Sequence, residues 1–238
     1  VDRIERTPRI AEIRLRPIGE AIRFWPGQYV SLTDTTRTVT PRSYSIANAP
    51  RPDGEIVLQI TRVPDGQTSN WVHNEVHPGS MVNLSGPYGT FIGDPSTDAP
   101  VLCLAAGTGL APIMGLADAA LRRGYNKPVH LMFSAQKEED IYCKGQLELW
   151  NVRHRRFKFL PTLTREEKAG ILHGRIPAIL KDHYPDLSKH AIYVAGSPEF
   201  VDACIDTAKA LGAQDEMIHT EGFFDQALPE TPDSDRLL

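Results

Sequence analysis

The stretch Val101-Leu102-Cys103-Leu104-Ala105-Ala106-Gly107-Thr108-Gly109-Leu110-Ala111-Pro112 decides the fold. Its first five residues form an apolar run, as expected of a strand buried on both faces. Two glycines then turn the chain, and a helical stretch runs on to about Arg123. Pro112 suits the first turn of that helix, where no N–H donor is needed. Strand, glycine turn and helix N-terminus are the physical parts of a cradle for nucleotide phosphates. The pattern is not G-x-G-x-x-G, since position 112 is Pro, so the ordinary dinucleotide fingerprint fails. A tight βα turn that binds nothing fits the same residues.

Outward from this stretch the second half keeps one grammar. A strand at Val129–Phe133, a helix around Gly145–His154, a strand at Lys158–Leu163 and a strand at Ala191–Ala195 follow. A helix then begins at Ser197-Pro198-Glu199. Such alternation predicts βαβ units and a parallel sheet. Gly196 ends the 191–195 strand, so its loop and the Gly107 loop should face one crevice at the carboxyl ends of the strands. The first ninety-odd residues read differently. Ala11–Arg16, Gln28–Leu32, Arg42–Ala47 and Glu55–Arg62 are short strands divided by Pro-Gly, Asn-Ala-Pro and Pro-Asp-Gly turns. They predict an antiparallel sandwich or small barrel, interrupted by one helix near Ser69–Val76. The linker-like loop Gly93–Asp98 divides the chain into a β domain, 1–97, and an α/β domain, 98–226, with a mobile tail expected over 227–238.

Composition narrows the class. Hydrophobic residues make up 41% and charged residues 24%, which is ordinary for a globular chain. A net charge of −4 argues against a general nucleic-acid binder. No apolar run approaches the roughly 18 residues needed to span a bilayer. The start, Val1-Asp2-Arg3-Ile4-Glu5, lacks the apolar region of a signal peptide, and the missing initiator Met hints at processing or excision from a longer chain. Cys103, Cys143 and Cys204 form no C-x-x-C pair, which excludes a zinc ribbon or iron–sulfur site within these residues. Three thiols suit a reducing cytoplasm, the expected location. His73 and His77 read as a solvated helix face, since Glu75 is misplaced for H-E-x-x-H. The run Arg153-His154-Arg155-Arg156-Phe157-Lys158 reads as a solvated helix end, or as a dock for an acidic partner.

Three more constellations carry chemistry. Arg42-Ser43-Tyr44-Ser45 combines a cation for phosphate, a flat aromatic for an isoalloxazine and a hydroxyl for its N5 edge. On a strand Arg42 and Tyr44 share one face, Ser43 and Ser45 the other. A half-buried strand with a solvated arginine fits equally. Gly66-Gln67-Thr68-Ser69 precedes the helix, with Thr68 or Ser69 as its N-cap and orphan N–H groups suited to a pyrophosphate. That favours FAD over FMN, although a capped helix binding nothing remains open. Glu221-Gly222-Phe223-Phe224, beyond a final short strand, offers aromatics for a core or for a flavin face.

In order, Arg-x-Tyr-Ser, Gly-x-Thr-Ser, Gly-Pro-Tyr-Gly-Thr-Phe (86–91), Gly-Thr-Gly-Leu-Ala-Pro, Ala-Gly-Ser-Pro and Glu-Gly-Phe-Phe resemble the ferredoxin–NADP⁺ reductase superfamily. Within it, the chain looks most like the reductase components of bacterial multicomponent aromatic-ring oxygenases; Trp25-Pro26-Gly27-Gln28-Tyr29-Val30 also matches. The resemblance implies an antiparallel β-barrel binding FAD, followed by an α/β domain binding NADH. Arg42, Ser43, Tyr44 and Ser45 would hold flavin and phosphate. Ile60, Thr61 and Val63 would lie along the ribityl and adenosine portions, and Gly66, Gln67, Thr68 and Ser69 on the pyrophosphate. Gly107, Thr108, Gly109, Leu110 and Pro112 would take the nicotinamide nucleotide with Gly196, Ser197 and Pro198. Phe223 or Phe224 would cover the flavin face. Ser45, Glu221 and Phe224 would be the catalytic residues.

Two departures stand out. Many members carry Cys-Gly where this chain has Ala195-Gly196, and their C-x₄-C-x₂-C [2Fe–2S] motif is missing from this sequence. The resemblance therefore implies a [2Fe–2S] centre on another domain or a separate ferredoxin, feeding an oxygenase. An NAD(P)H:flavin or ferric reductase and a nucleotide-sensing subunit are the competing readings. Residues 134–140, Ser-Ala-Gln-Lys-Glu-Glu-Asp, hold no Arg and three carboxylates, so NADH is expected over NADPH.

Overall fold

Every second residue of Ile10-Ala11-Glu12-Ile13-Arg14-Leu15 is buried or half-buried and apolar, which makes the segment a strand with one face on a core. The computed structural model describes residues 1–6 and 8–223. Its first half holds β1 (Arg3–Arg6), β2 (Ile10–Leu15), β3 (Tyr29–Asp34), β4 (Arg42–Ser45), β5 (Ile56–Thr61) and β6 (Val82–Tyr88), with helix α1 (Gln67–Asn74) between the last two. The strands pair as two antiparallel sheets, β1-β2-β5 and β4-β3-β6, linked by an Ile46–Leu58 bridge. Ile13, Leu32, Leu58, Ile60 and Val72 fill the open barrel they enclose.

The second half runs β7 (Val101–Ala106), α2 (Leu110–Arg122), β8 (Val129–Ala135), α3 (Lys144–Arg153), β9 (Phe157–Leu163), β10 (Leu172–His173), α4 (Ile176–His183), β11 (Ala191–Gly196), α5 (Pro198–Ala210) and β12 (Ile218–Gly222). All six strands are parallel, in the order β10-β9-β8-β7-β11-β12. Two apolar layers cover the sheet: Leu110, Ile113, Leu147 and Trp150 from α2 and α3 on one face, Ile176, Leu180, Val201 and Cys204 from α4 and α5 on the other. Burial on both faces is why β7 and β11 are apolar throughout. The chain leaves β7 toward β8 and returns on its other side as β11. That reversal opens a crevice at the carboxyl ends of β7 and β11.

Several expectations need correction. Helix α1 begins at Gln67, and its N-cap is Gly66 with no side-chain cap; Thr68 and Ser69 lie in its first turn. His73 is not on a solvated face: it is buried, and its Nε2 lies 3.0 Å from the Ile60 carbonyl. His77 falls beyond the end of α1. Glu221 and Gly222 belong to β12 and pair with Ala195 and Gly196 of β11. Strands β1 and β6 and helix α4 went unread, because charged residues in β1, Gly86-Pro87 in β6 and the shortness of α4 blur their periodicity.

Candidate functional site

The flavin-side residues are assembled by a loop. The Asp34 carboxylate accepts bonds from the Thr36 hydroxyl, from the Val39 N–H at 2.8 Å and from the Thr38 hydroxyl at 2.9 Å. These donors, Thr36 foremost, hold its carboxyl well below the usual carboxylate range. The loop so tied delivers Thr40 to α1. Its N–H and hydroxyl reach Gln67 Oε1 at 3.1 and 2.6 Å, and the Thr68 hydroxyl donates to the Thr40 carbonyl. Arg42 follows two residues after this contact with the first turn of α1. There the N–H groups lack intrahelical acceptors and the helix dipole is positive. Ser69 Oγ is engaged elsewhere, accepting the Val63 N–H at 3.1 Å.

Tyr44 is half-buried beside Val30, its strand partner, and burial pushes its phenol up to about 12 despite nearby Arg42. Ser45 is 5% exposed, and its Oγ has no hydrogen-bond partner. Such an atom is costly unless something bonds it. Ser43 is exposed, Thr61 half-buried and Val63 exposed. The Ile60 side chain is fully enclosed in the barrel core, so only its backbone could lie along a ligand.

On the nucleotide side the two glycines differ. Gly107 has φ +55° and open space where a Cβ would stand, so the loop offers bare backbone to a ligand. Gly109 is wedged against β11; a Cβ there would lie 2.0 Å from the Ala195 carbonyl oxygen. The Tyr142 hydroxyl braces the turn by donating to the Gly107 carbonyl at 2.8 Å. Leu110 and Pro112 are buried, so only their backbone can serve a nucleotide. Thr108 lies in the same turn, half-exposed one residue from Gly109. Across the crevice Ser197 caps α5 through the Phe200 N–H at 3.3 Å, with Pro198 at the helix start.

The Phe223 N–H donates to the Gly196 carbonyl at 2.8 Å, which ties the end of β12 to the same loop. Glu221 is two residues from His219, whose ring stacks on Tyr193 at 4.6 Å, so both side chains leave the same sheet face. Burial raises the Glu221 carboxyl to about 7, and its Oε2 is enclosed without a partner. Phe224 lies outside the described residues. The two half-sites meet through α2, whose Gly115 packs against the Ile46 carbonyl, one residue past Ser45.

Residues 2–92 match the oxidoreductase FAD-binding domain, and residues 103–206 match the oxidoreductase NAD-binding domain. The chain thus joins an oxidoreductase FAD-binding domain to an oxidoreductase NAD-binding domain, in that order. Among these oxidoreductases it is similar to the ferredoxin–NAD(P)⁺ reductase component of the naphthalene 1,2-dioxygenase/salicylate 5-hydroxylase systems of Ralstonia sp. It is 33% identical to that protein over 92% of this chain and 66% of the relative. Reductase component 1 of the terephthalate 1,2-dioxygenase of Comamonas sp. is 28% identical, over 91% of this chain and 64% of that protein. The chain thus spans just under two thirds of these relatives. Among solved structures, the Amycolatopsis cytochrome P450 reductase GcoB superposes with a TM-score of 0.86 at 27% identity, covering 93% of this chain and 68% of that one. The ferredoxin reductase in carbazole 1,9a-dioxygenase gives 0.84 at 26%, covering 94% and 68%.

This oxidoreductase has site neighbours that the sequence did not reveal. Arg165 is exposed, and its N–H bonds the Gln136 carbonyl at 2.9 Å, so an arginine does reach the loop after β8. The three carboxylates there are engaged: Glu138 by Lys144 and Lys168, Glu139 by Lys137 at 3.8 Å, Asp140 by Arg9 at 3.0 Å. Apart from Lys137, the partners all lie outside residues 134–140 and leave no trace there. Among the described residues no group of three His, Cys, Asp or Glu side chains could hold a metal, and no helix is long and apolar enough to cross a membrane.

Proposed function

We propose that this chain is the flavin- and nucleotide-binding part of a reductase that takes hydride from NADH onto FAD. Electrons then pass one at a time to a [2Fe–2S] centre, on a further domain or a separate ferredoxin, that feeds an oxygenase. One observation carries the reading: Ser45 Oγ, at the end of β4, and Glu221 Oε2, on β12, are both enclosed without a hydrogen-bond partner. Arg42 and the first turn of α1 would hold the FAD pyrophosphate, and Tyr44 would cover the ring. The Gly107–Gly109 turn, with Gly196 and Ser197, would hold the nicotinamide nucleotide. Bound FAD would supply the two-electron acceptor for hydride from a dihydronicotinamide. Ser45 would bond the N5 edge, while Glu221, able to keep a proton near neutral pH, would bond the carboxamide and orient it.

Its similarity to the reductase components of aromatic dioxygenase systems supports this reading, as does the order of the two matched domains. A domain division at 97/98 goes with it, as does the cytoplasm, since the donor is a reduced nucleotide and the three cysteines are free. The test is anaerobic titration of purified FAD-loaded protein with NADH, followed by addition of acceptors. Bleaching of the flavin and fast reduction of a [2Fe–2S] ferredoxin are expected. Turnover with free flavin or ferric chelates but none with ferredoxin would instead indicate an NAD(P)H:flavin or ferric reductase.

A further inference from the structure

Helix α2 serves both halves of the molecule. Its first turn carries the nucleotide cradle, and its middle is docked on the segment that follows Ser45. Ala111 packs with Ala47 and Val57 in a small buried cluster. Gly115 comes so close that a Cβ on it would stand 2.7 Å from the Ile46 carbonyl oxygen. Asp118, only 6% exposed, accepts the Ala49 N–H at 3.0 Å, while its other oxygen takes Arg122 Nε at 2.9 Å. Residues 111, 115 and 118 fall on one helical stripe, facing segment 46–49. That segment is itself braced: Asn48 donates to the Glu55 carbonyl at 2.9 Å and accepts the Val57 N–H at 2.7 Å.

We propose that Asp118 is a positioning residue for hydride transfer. Its bond to Ala49, with the backbone contact at Gly115, sets the gap between the cradle at 107–109 and the flavin edge at Ser45. The inference rests on the reading of function given above. A buried, directional bond to a braced segment resists sliding, whereas apolar contact alone at Ala111 would permit it. Hydride transfer is steep in donor–acceptor distance, so a small slip between the two half-sites is costly.

Asp118→Ala, Asp118→Asn and Gly115→Ala, each loaded with FAD, provide the test. Asp118→Ala should slow flavin reduction at saturating NADH by roughly tenfold or more, with loss of the long-wavelength absorbance of stacked nicotinamide and flavin. In the same variant without cofactors, hydrogen exchange at the Ala49 amide should accelerate. FAD and NADH affinities should stay within about twofold, since neither cofactor is touched. Asp118→Asn keeps an acceptor oxygen and should react like wild type. Gly115→Ala loses no polar group, yet should slow reduction by forcing the halves apart. Wild-type rates in both Ala variants, or losses that track weaker cofactor binding, overturn the inference. Should Asp118→Ala not fold, the contrast between Asp118→Asn and Gly115→Ala decides. Wild type that NADH fails to reduce would overturn the functional reading instead, and this inference with it.

Discussion

Arg42 makes no ion pair among the described residues; its guanidinium reaches only the Pro41 carbonyl, at 3.3 Å. A cation left this free, two residues beyond the Thr40 contact with α1, is available to phosphate. Arg42→Ala should therefore weaken FAD by about 1.5–3 kcal/mol, roughly tenfold to hundredfold, in titrations of the apoprotein. Unchanged affinity would remove Arg42 from the site. Charge repulsion of a 2′-phosphate at residues 134–140 is reduced by the tertiary contacts: the carboxylates of 138–140 have cationic partners, and the Arg165 backbone bonds Gln136. Glu166 and Glu167 directly follow that arginine, and a higher kcat/KM is expected for NADH than for NADPH. Arg165→Ala should depress kcat/KM for NADPH more than for NADH, because only the former carries a 2′-phosphate for a guanidinium to bind. NADPH equal to or better than NADH in wild type would refute the preference.

Strand β12 places Glu221 where burial opposes its charge. Below its ordinary 4.5 the carboxyl is protonated in both folded and unfolded chains and contributes no difference. As pH rises from there toward about 7, the unfolded chain loses its proton first and the folded state loses stability. Above about 7 the penalty is complete. Glu221→Gln should thus melt close to wild type at pH 5 and above it at pH 8; a constant difference across that range would show that burial does not govern this group. Much of this element scale was legible beforehand. The β7 strand, its glycine turn and α2 were readable because apolar runs and turn chemistry are local. The start of α1 was misread for a tertiary reason: the Thr68 hydroxyl, which sequence logic assigns to its own helix, bonds Thr40 instead.

For the whole molecule, the parallel sheet separates the crevice from the basic run at 153–158. Phe157 pairs with Val129 at the start of β8, and the Val129 N–H bonds the Arg156 carbonyl at 2.9 Å. The seven residues of β8 put this edge about 20 Å from the carboxyl ends of the strands, at ~3.3 Å per residue. An acidic electron acceptor held there would be poorly placed to receive electrons. Reversing charge at Arg153, Arg155 and Arg156 together should leave the rate of ferredoxin reduction within about twofold at physiological salt. A tenfold loss would put the acceptor's dock on this basic run after all.

The sequence by itself determined the two grammars, the order of the motifs and the positions of the backbone turns. Each rests on periodicity or on glycine chemistry within a few residues. Only the tertiary structure decided which side chains are enclosed and which stay open to solvent. Ile60 looks on paper like Thr61, its neighbour, but the barrel encloses one and leaves the other at its rim. The Asp118–Ala49 bond spans 69 residues, and the Arg165–Gln136 bond joins two strand ends that become neighbours only when the sheet forms. Contacts of that kind have no local signature, because the partner is chosen by how sheets and helices stack.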